Sequence, residues 1–294
     1  MPWLQLLIAT EKEHVESFED ALLDHGALSI TLRDNADQPI LEPALGETPL
    51  WNKTQLMALY EADVDTVAIS EAIDKFVAST GSSAKWEQLE DKDWIRSWME
   101  DFKPIRCGDR LWICPSWCEP PEPNAINLKL DPGLAFGTGT HPTTFLCVQW
   151  LDQVDCTDKS VIDFGCGSGI LGIAALLLGA NSAQGIDIDP QALIATADNT
   201  EKNGLPKESF PVYLPKDFKP QQVDITIANI LAGPLVELAG QINALVKPGG
   251  LLCLSGILAT QAEAVMAAYP EITFDPVCEK EQWVRLTGQK ALNP

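Results

Sequence analysis

Segments with the pattern of strands alternate with segments with the pattern of helices from Ser160 to the C terminus. The connections between them are short, so the alternation predicts an α/β domain with a doubly wound, mostly parallel sheet. Ligands bind such sheets at the carboxyl ends of the strands, and we expect the residues that carry chemistry there. The predicted elements are Val161–Phe164, Ile170–Leu178, Ala183–Ile188, Pro190–Asn199, Val223–Ala228, Leu231–Leu245, Leu251–Ser255 and Ala259–Met266, followed by strands near Ile272–Phe274 and Trp283–Leu286.

A glycine-rich loop follows the first strand of this region and reads Asp163-Phe164-Gly165-Cys166-Gly167-Ser168-Gly169. Glycine suits such a loop because a side chain would block the tight turn and the close approach of a ligand to the backbone. Gly167, Gly169 and Gly172 also match the GxGxxG pattern of dinucleotide-binding proteins. The loop alone therefore leaves a dinucleotide and S-adenosylmethionine as alternatives.

Three polar residues bear on this choice, and two of them, Asp163 and Asn229, favour S-adenosylmethionine. Asp163 lies two residues before the first glycine, where its charge would repel a diphosphate but attract the sulfonium and ammonium cations of S-adenosylmethionine. Asp187 ends the next strand and is placed to accept hydrogen bonds from both ribose hydroxyls, a contact that either ligand would make. Asn229 directly follows the predicted strand Val223–Ala228, where we expect it beside the transferring methyl group.

The first ninety residues predict a second, smaller domain of a different class. Strands and amphipathic helices follow one another in the order β-α-β-β-α-β, which is the ferredoxin-like arrangement of a small α+β domain. The predicted elements are Trp3–Ala9, Glu11–His25, Ala27–Leu32, Gln55–Glu61, Asp65–Val77 and Ala84–Leu89.

The length of 294 residues fits two domains and a connector. We assign residues 1–90 to the small domain, 91–128 to the connector and 129–294 to the α/β domain. The run Glu119–Pro123 excludes regular structure within the connector. Large aromatic side chains in and beside it either line a substrate groove or, as we favour, pack the connector against a domain. They are Trp86, Trp94, Trp98, Trp112 and Trp117.

Composition narrows the partners. The formal net charge of −22 at pH 7 disfavours binding to nucleic acid and fits a basic partner, although acidity can also serve solubility alone. The eight cysteines show no CxxC pair, which predicts reduced thiols and no metal site. No apolar run is long enough to span a membrane and the N terminus lacks the pattern of a signal peptide, so we expect a cytoplasmic protein.

The segment Leu134–Thr144 resembles the FGTGxHPTT signature of the PrmA family, class I methyltransferases that modify ribosomal protein L11. The resemblance covers the whole chain and implies a Rossmann-like methyltransferase sheet, S-adenosylmethionine as cofactor and a small domain that holds the substrate. It implies methylation of lysine side-chain and N-terminal amines of L11, and we expect the protein to be a monomer. The family's cofactor contacts fall on Thr144, Gly165, Asp187 and Asn229, to which the loop residues Asp163 and Gly167 are added, and Phe136 is expected to close over the ligand with Gly137.

Alternatives remain for the roles of Thr144 and His141. Thr144 could instead cap the helix that follows Pro142. His141 is a candidate general base, but its place before proline suits a structural hydrogen bond better. A lysine amine with a pKa near 10.4 must lose a proton at a cost of roughly 4 to 5 kcal/mol at pH 7. No dedicated base is evident, and we expect Asn229 to orient the neutral amine.

Three rival functions fit parts of the sequence. An NAD-dependent oxidoreductase would need a hydride acceptor site, for which the Leu134–Thr144 segment gives no reason. A methyltransferase of RNA or of a small amine would share the cofactor half, although the negative charge disfavours RNA. A non-catalytic binding module would not need the intact Asp163, Asp187 and Asn229, and a turnover assay distinguishes it.

Overall fold

The computed structural model describes residues 3–38, 40, 48–89, 102–131 and 139–292. The chain divides into two compact units, Met1–Asp101 and Phe102–Pro294. No helix within the described ranges is both long and apolar enough to cross a membrane.

The first unit is an antiparallel sheet of four strands with two helices. Its elements are β1 (Trp3–Glu11), α1 (Val15–Asp24), β2 (Ser29–Asp34), β3 (Lys53–Tyr60), α2 (Thr66–Thr80) and β4 (Ser83–Leu89). The strand order is β2-β3-β1-β4, with every neighbouring pair antiparallel. This confirms the ferredoxin-like arrangement, because each helix connects two strands that flank a third.

The first helix starts later than predicted. The sequence pattern predicts a start at Glu11, but β1 continues to Glu11, which pairs with Lys53 of β3. A short 3₁₀ turn over Lys12–His14 then leads into α1. The second helix has the expected local signals: the Asp65 side chain accepts hydrogen bonds from the first turn, and Gly81 ends the helix at a φ of 66°.

The second unit contains a large mixed sheet with helices. Its elements are β5 (Ile105–Arg106), β6 (Leu111–Cys114), β7 (Ile126–Lys129), α3 (Pro142–Gln153), β8 (Ser160–Phe164), α4 (Ile170–Leu177), β9 (Ser182–Ile186), α5 (Pro190–Lys202), β10 (Val212–Tyr213), β11 (Val223–Asn229), α6 (Ala232–Glu237), α7 (Ala239–Leu245), β12 (Val246–Leu258), α8 (Ala262–Ala267), β13 (Ile272–Phe274), β14 (Cys278–Lys280) and β15 (Trp283–Lys290). The strand order is β10-β9-β8-β11-β12-β15-β13, and β14 also pairs with β15.

The first five strands of this order are parallel, whereas β15 is antiparallel to its three neighbours. The prediction of a mostly parallel, doubly wound sheet is thus confirmed. The chain adds β9 and β10 on one side of β8, and β11 and β12 on the other. The direction in which successive strands are added therefore reverses between β8 and β11. At such a point a ligand is expected outside the carboxyl ends of the two strands.

The small sheet β5-β6-β7 lies in the second unit, although the sequence analysis assigned residues 91–128 to a connector. Leu111 and Leu128 of this sheet share one hydrophobic core with Leu151 of α3. The buried carboxylate of Asp152 accepts hydrogen bonds from the backbone of Asp109 and Arg110. Residues 102–128 consequently belong to the second unit and not to a connector.

The tryptophans of that region divide between described and undescribed residues. Trp86 packs against Tyr60 in the core of the first unit, with ring centroids 5.3 Å apart, and its indole nitrogen donates to Ser70. Packing rather than groove lining is thus the role of Trp86. Trp94 and Trp98 lie outside the described residues.

Candidate active site

The glycine-rich loop joins β8 to α4 at the predicted position. Gly165, Gly167 and Gly169 all have positive φ angles, of 76°, 52° and 79°. A side chain at Gly172 would meet the ring of Phe210, with its Cβ only 2.7 Å from Cε2. The first three glycines therefore supply the turn, and the fourth allows the helix to pack closely.

Asp163 lies at the base of this loop and is fully buried. Its Oδ2 accepts a hydrogen bond from the Gly172 N–H at 3.1 Å, and its Oδ1 has no hydrogen-bond partner among the described residues. The pKa of Asp163 is raised to about 7, chiefly because the carboxylate is buried; the hydrogen bond from Gly172 lowers it, and the nearby carboxylate of Asp187 raises it. A cation beside Asp163 would favour the ionised carboxylate.

Asp187 follows β9 and connects it to the glycine-rich loop. Its Oδ2 accepts a hydrogen bond from the Gly167 N–H at 2.8 Å, and its Oδ1 accepts one from the Asp189 N–H at 2.9 Å. The side chain is partly exposed, and a carboxylate has further lone pairs that can accept hydroxyl donors. Asp187 thus both holds the loop and offers acceptors at the sheet edge.

Asn229 at the end of β11 contacts α3, the helix that begins within the Leu134–Thr144 segment. Its Nδ2 donates to Oγ1 of Thr144 at 3.3 Å. Its Oδ1 is buried without a hydrogen-bond partner among the residues that the structure describes. Thr144 itself is fully buried in the first turn of α3. The structure therefore brings together Thr144, the glycine-rich loop and Asn229, which the sequence places 85 residues from Thr144.

His141, not Thr144, caps α3. The His141 Nδ1 accepts a hydrogen bond from the Thr143 N–H, and Pro142 occupies the first position of the helix. The imidazole packs edge-on against Trp283, with ring centroids 5.0 Å apart, and desolvation lowers its pKa while Glu281 opposes that shift. The structural role favoured for His141 is borne out by these contacts. The predicted contacts of Phe136 and Gly137 lie outside the described residues.

Two further residues, both on α5, support the glycine-rich loop and are not among the predicted site residues. The Thr196 hydroxyl donates to the carbonyl of Gly167 at 3.0 Å, and the Asn199 amide donates to the carbonyl of Ser168 at 2.8 Å. Both side chains are buried. Polar residues three positions apart on the inward face of an amphipathic helix were the available signal, because buried polar groups need partners.

Acceptors rather than metal ligands characterise this edge of the sheet. No group of three or more His, Cys, Asp or Glu side chains in the described ranges is arranged to hold a metal ion. The buried oxygens of Asp163 and Asn229 and the carboxylate of Asp187 instead suit a ligand with cationic and hydroxyl groups. S-adenosylmethionine has both, since it carries an ammonium, a sulfonium and a ribose, so these residues fit it.

An acid just before the glycine-rich loop and an amide at the end of the neighbouring strand β11 are typical of class I methyltransferases, and the chain falls in that class. Within the class, it belongs to the ribosomal protein L11 methyltransferase (PrmA) family, whose model matches residues 2–291.

Similar proteins agree with this placement. A ribosomal protein L11 methyltransferase from Cellvibrio japonicus is 61% identical over 292 residues, which are 99% of each chain. The corresponding protein of Pseudomonas aeruginosa strain LESB58 is 56% identical over 99% of each chain. The crystal structure of a ribosomal protein L11 methylase from Lactobacillus delbrueckii subsp. bulgaricus superposes with a TM-score of 0.59 at 30% identity, covering 65% of this chain and all of that one.

Proposed function

We propose that this protein transfers methyl groups from S-adenosylmethionine to amines of ribosomal protein L11. The observation that carries the proposal is the meeting of Asn229 and Thr144 at the carboxyl end of β11, next to the glycine-rich loop. Membership of the L11 methyltransferase family supports the substrate.

The cofactor, when bound, supplies an electrophilic methyl group on a sulfonium. Asp187 would accept hydrogen bonds from the ribose hydroxyls through its remaining lone pairs, while its bonds from the Gly167 and Asp189 N–H groups hold the carboxylate in place. Asp163 provides negative charge near the cationic end of the cofactor. The positive-φ glycines allow the cofactor to approach the backbone, and Thr144 closes the site from the side of α3.

Asn229 orients the substrate amine. Its amide nitrogen is held by Thr144, and this fixes the carbonyl oxygen as an acceptor at the sheet edge. A neutral amine needs such an acceptor for its N–H while its lone pair points at the methyl group. Desolvation in the site lowers the pKa of a lysine amine and offsets part of the deprotonation cost. We assign no residue as a general base.

Lysine side-chain and N-terminal amines of L11 are the proposed acceptors, and the first unit is the proposed substrate-recognition domain. Ribosomal proteins are made in the cytosol, which is where we place the reaction. The net charge of −22 suits a basic substrate protein and disfavours RNA as the acceptor.

The test incubates the purified protein and radiolabelled S-adenosylmethionine with L11, with a total ribosomal protein mixture or with ribosomal RNA. We expect label in the L11 band alone, at sites that mass spectrometry assigns to lysines and the N terminus. L11 whose amines have been acetylated is the matched control and should take up no label. Labelling of RNA, or cofactor binding without turnover, would contradict the proposal.

A further inference from the structure

An irregularity in β12 lies at the level of Asn229. The pairing register of β12 with β15 shifts between Leu254 and Ile257, so the bulge contains Ser255 and Gly256. On the other side of β12, Ser255 is the direct partner of Asn229 in β11. Gly256 has a φ of 84°, a conformation that other residues rarely adopt. Bulges of this kind often re-aim the chain beside an active site.

The backbone of Ile230 passes directly over Gly256. A Cβ built on Gly256 would overlap Ile230 O and would lie 2.7 Å from Ile230 C and 3.1 Å from Ile230 N. A Cβ on Gly165, in the glycine-rich loop, would overlap Cγ2 of the same isoleucine. Ile230 is therefore held between two glycines, one against its backbone and one against its side chain.

We propose that Gly256 is a positioning residue for methyl transfer. Because Gly256 has no side chain, the Ile230 backbone can pass directly over it, and this path of the chain sets the placement of the neighbouring Asn229 amide. This inference rests on the proposed function. A methyl group at Gly256 must push the Ile230 backbone away by roughly 1 Å to reach a normal contact distance. The Asn229–Thr144 hydrogen bond, at 3.3 Å, is close to the limit for such a bond and would not survive that shift.

Close contact with a neighbouring backbone distinguishes Gly256 from glycines that are required only for their positive φ. Gly204 also has a positive φ, of 73°, but a Cβ there would have no heavy atom within 4 Å. Gly204→Ala consequently introduces the same backbone strain in the same unit without touching the chain around Asn229. It is the matched control for Gly256→Ala.

The experiment compares L11 methylation by the full-length wild type, Gly256→Ala and Gly204→Ala. Thermal denaturation measures the folded fraction of each protein at the assay temperature, and each rate is divided by that fraction. For Gly256→Ala we expect kcat to fall about 10- to 100-fold, as a misplacement of about 1 Å produces, with the KM for L11 changed by less than about threefold. Gly204→Ala should keep its kcat. Equal kcat values for the two variants would overturn the inference.

A double-mutant cycle with Asn229→Ala tests the route of the effect. If Gly256 acts through Asn229, Gly256→Ala should reduce kcat little further once Asn229 is alanine. Additive losses would indicate a general structural role and contradict the inference. A crystal structure of Gly256→Ala gives a readout independent of activity, and an unchanged Asn229–Thr144 distance would also contradict it. Failure of the wild type to methylate L11 would instead count against the proposed function.

Ser255→Ala provides the test if Gly256→Ala does not fold. The Ser255 hydroxyl donates to the Val284 carbonyl at 2.9 Å and so anchors the bulge to β15. Removal of this hydroxyl should lower kcat in the wild-type background but lower it little further in the Asn229→Ala background. Thr287→Val, which removes another buried hydroxyl that bonds Asp275 beside the same sheet, is the control and should keep its kcat. Equal effects of these two variants would refute the positioning role.

Discussion

Single carboxylates decide the chemistry of the glycine-rich loop, and Asp187 has two tasks there. We expect Asp187→Ala to weaken binding of S-adenosylhomocysteine by about 1.5 to 3 kcal/mol, because a charge-assisted ribose contact is lost together with the bond to Gly167. Calorimetric titration measures the loss. Asp189→Ala, which removes only an exposed helix cap, is the control. Similar affinities of the two variants would exclude Asp187 as a ribose ligand.

Asp163 should make the ligand-free protein less stable as pH rises. Its pKa is about 7 in the folded chain, against 3.8 ordinarily, so the folded state holds the proton more tightly and this stabilisation is lost between about pH 4 and pH 7. Asp163→Asn removes that loss. The free energy of unfolding of the variant relative to the wild type should therefore increase on going from pH 5 to pH 8. Urea denaturation at both pH values measures it, and a constant difference would contradict the assigned pKa.

At the scale of elements, α5 supports the loop from behind through Thr196. Thr196→Val removes the bond to the Gly167 carbonyl and should cost about 1 to 2 kcal/mol of stability and weaken cofactor binding. Thr200, one turn further along, is equally buried, but within the described part of the chain its hydroxyl bonds only the carbonyl of Thr196 in its own helix. Thr200→Val should cost similar stability in thermal denaturation yet leave cofactor affinity unchanged. Equal affinities for both variants would mean that α5 does not shape the site.

For the whole molecule, the two units should separate cofactor binding from substrate recognition. The second unit has its own hydrophobic cores around the large sheet. A chain that begins at Phe102 should therefore still bind S-adenosylhomocysteine but lose methylation of L11. Full L11 methylation by this truncated chain would sink the recognition role of the first unit.

Charge is a second property of the whole molecule. Because the protein has a net charge of −22, salt should screen its attraction for a basic substrate and weaken their association. Raising NaCl from about 50 to about 300 mM should increase the KM for L11 several-fold and leave the KM for the cofactor nearly constant. Steady-state kinetics at the two salt concentrations measures both, and a salt-independent KM for L11 would favour acidity as a solubility device.

The sequence by itself determined the features that depend on local pattern. Strand and helix alternation predicted the doubly wound sheet, and the positions of Asp163, Asp187 and Asn229 at strand ends predicted one shared edge, because parallel strands bring their carboxyl ends together. Glycines at Gly165 and Gly167 were evident because a tight turn requires them wherever it occurs. The helix start at Glu11 was wrong because pairing with Lys53 extends β1, a contact that no local pattern encodes.

Only the tertiary structure decided which distant residues meet. His141 rather than Thr144 caps α3, which leaves the Thr144 hydroxyl for Asn229. Residues 102–128 join the second core because Leu111 and Leu128 pack with α3, although proline-rich sequence beside them reads as a connector. The contact between Gly256 and Ile230 depends on a bulge that two neighbouring strands create. Such contacts depend on how packed elements fit in three dimensions, and short-range patterns do not contain that information.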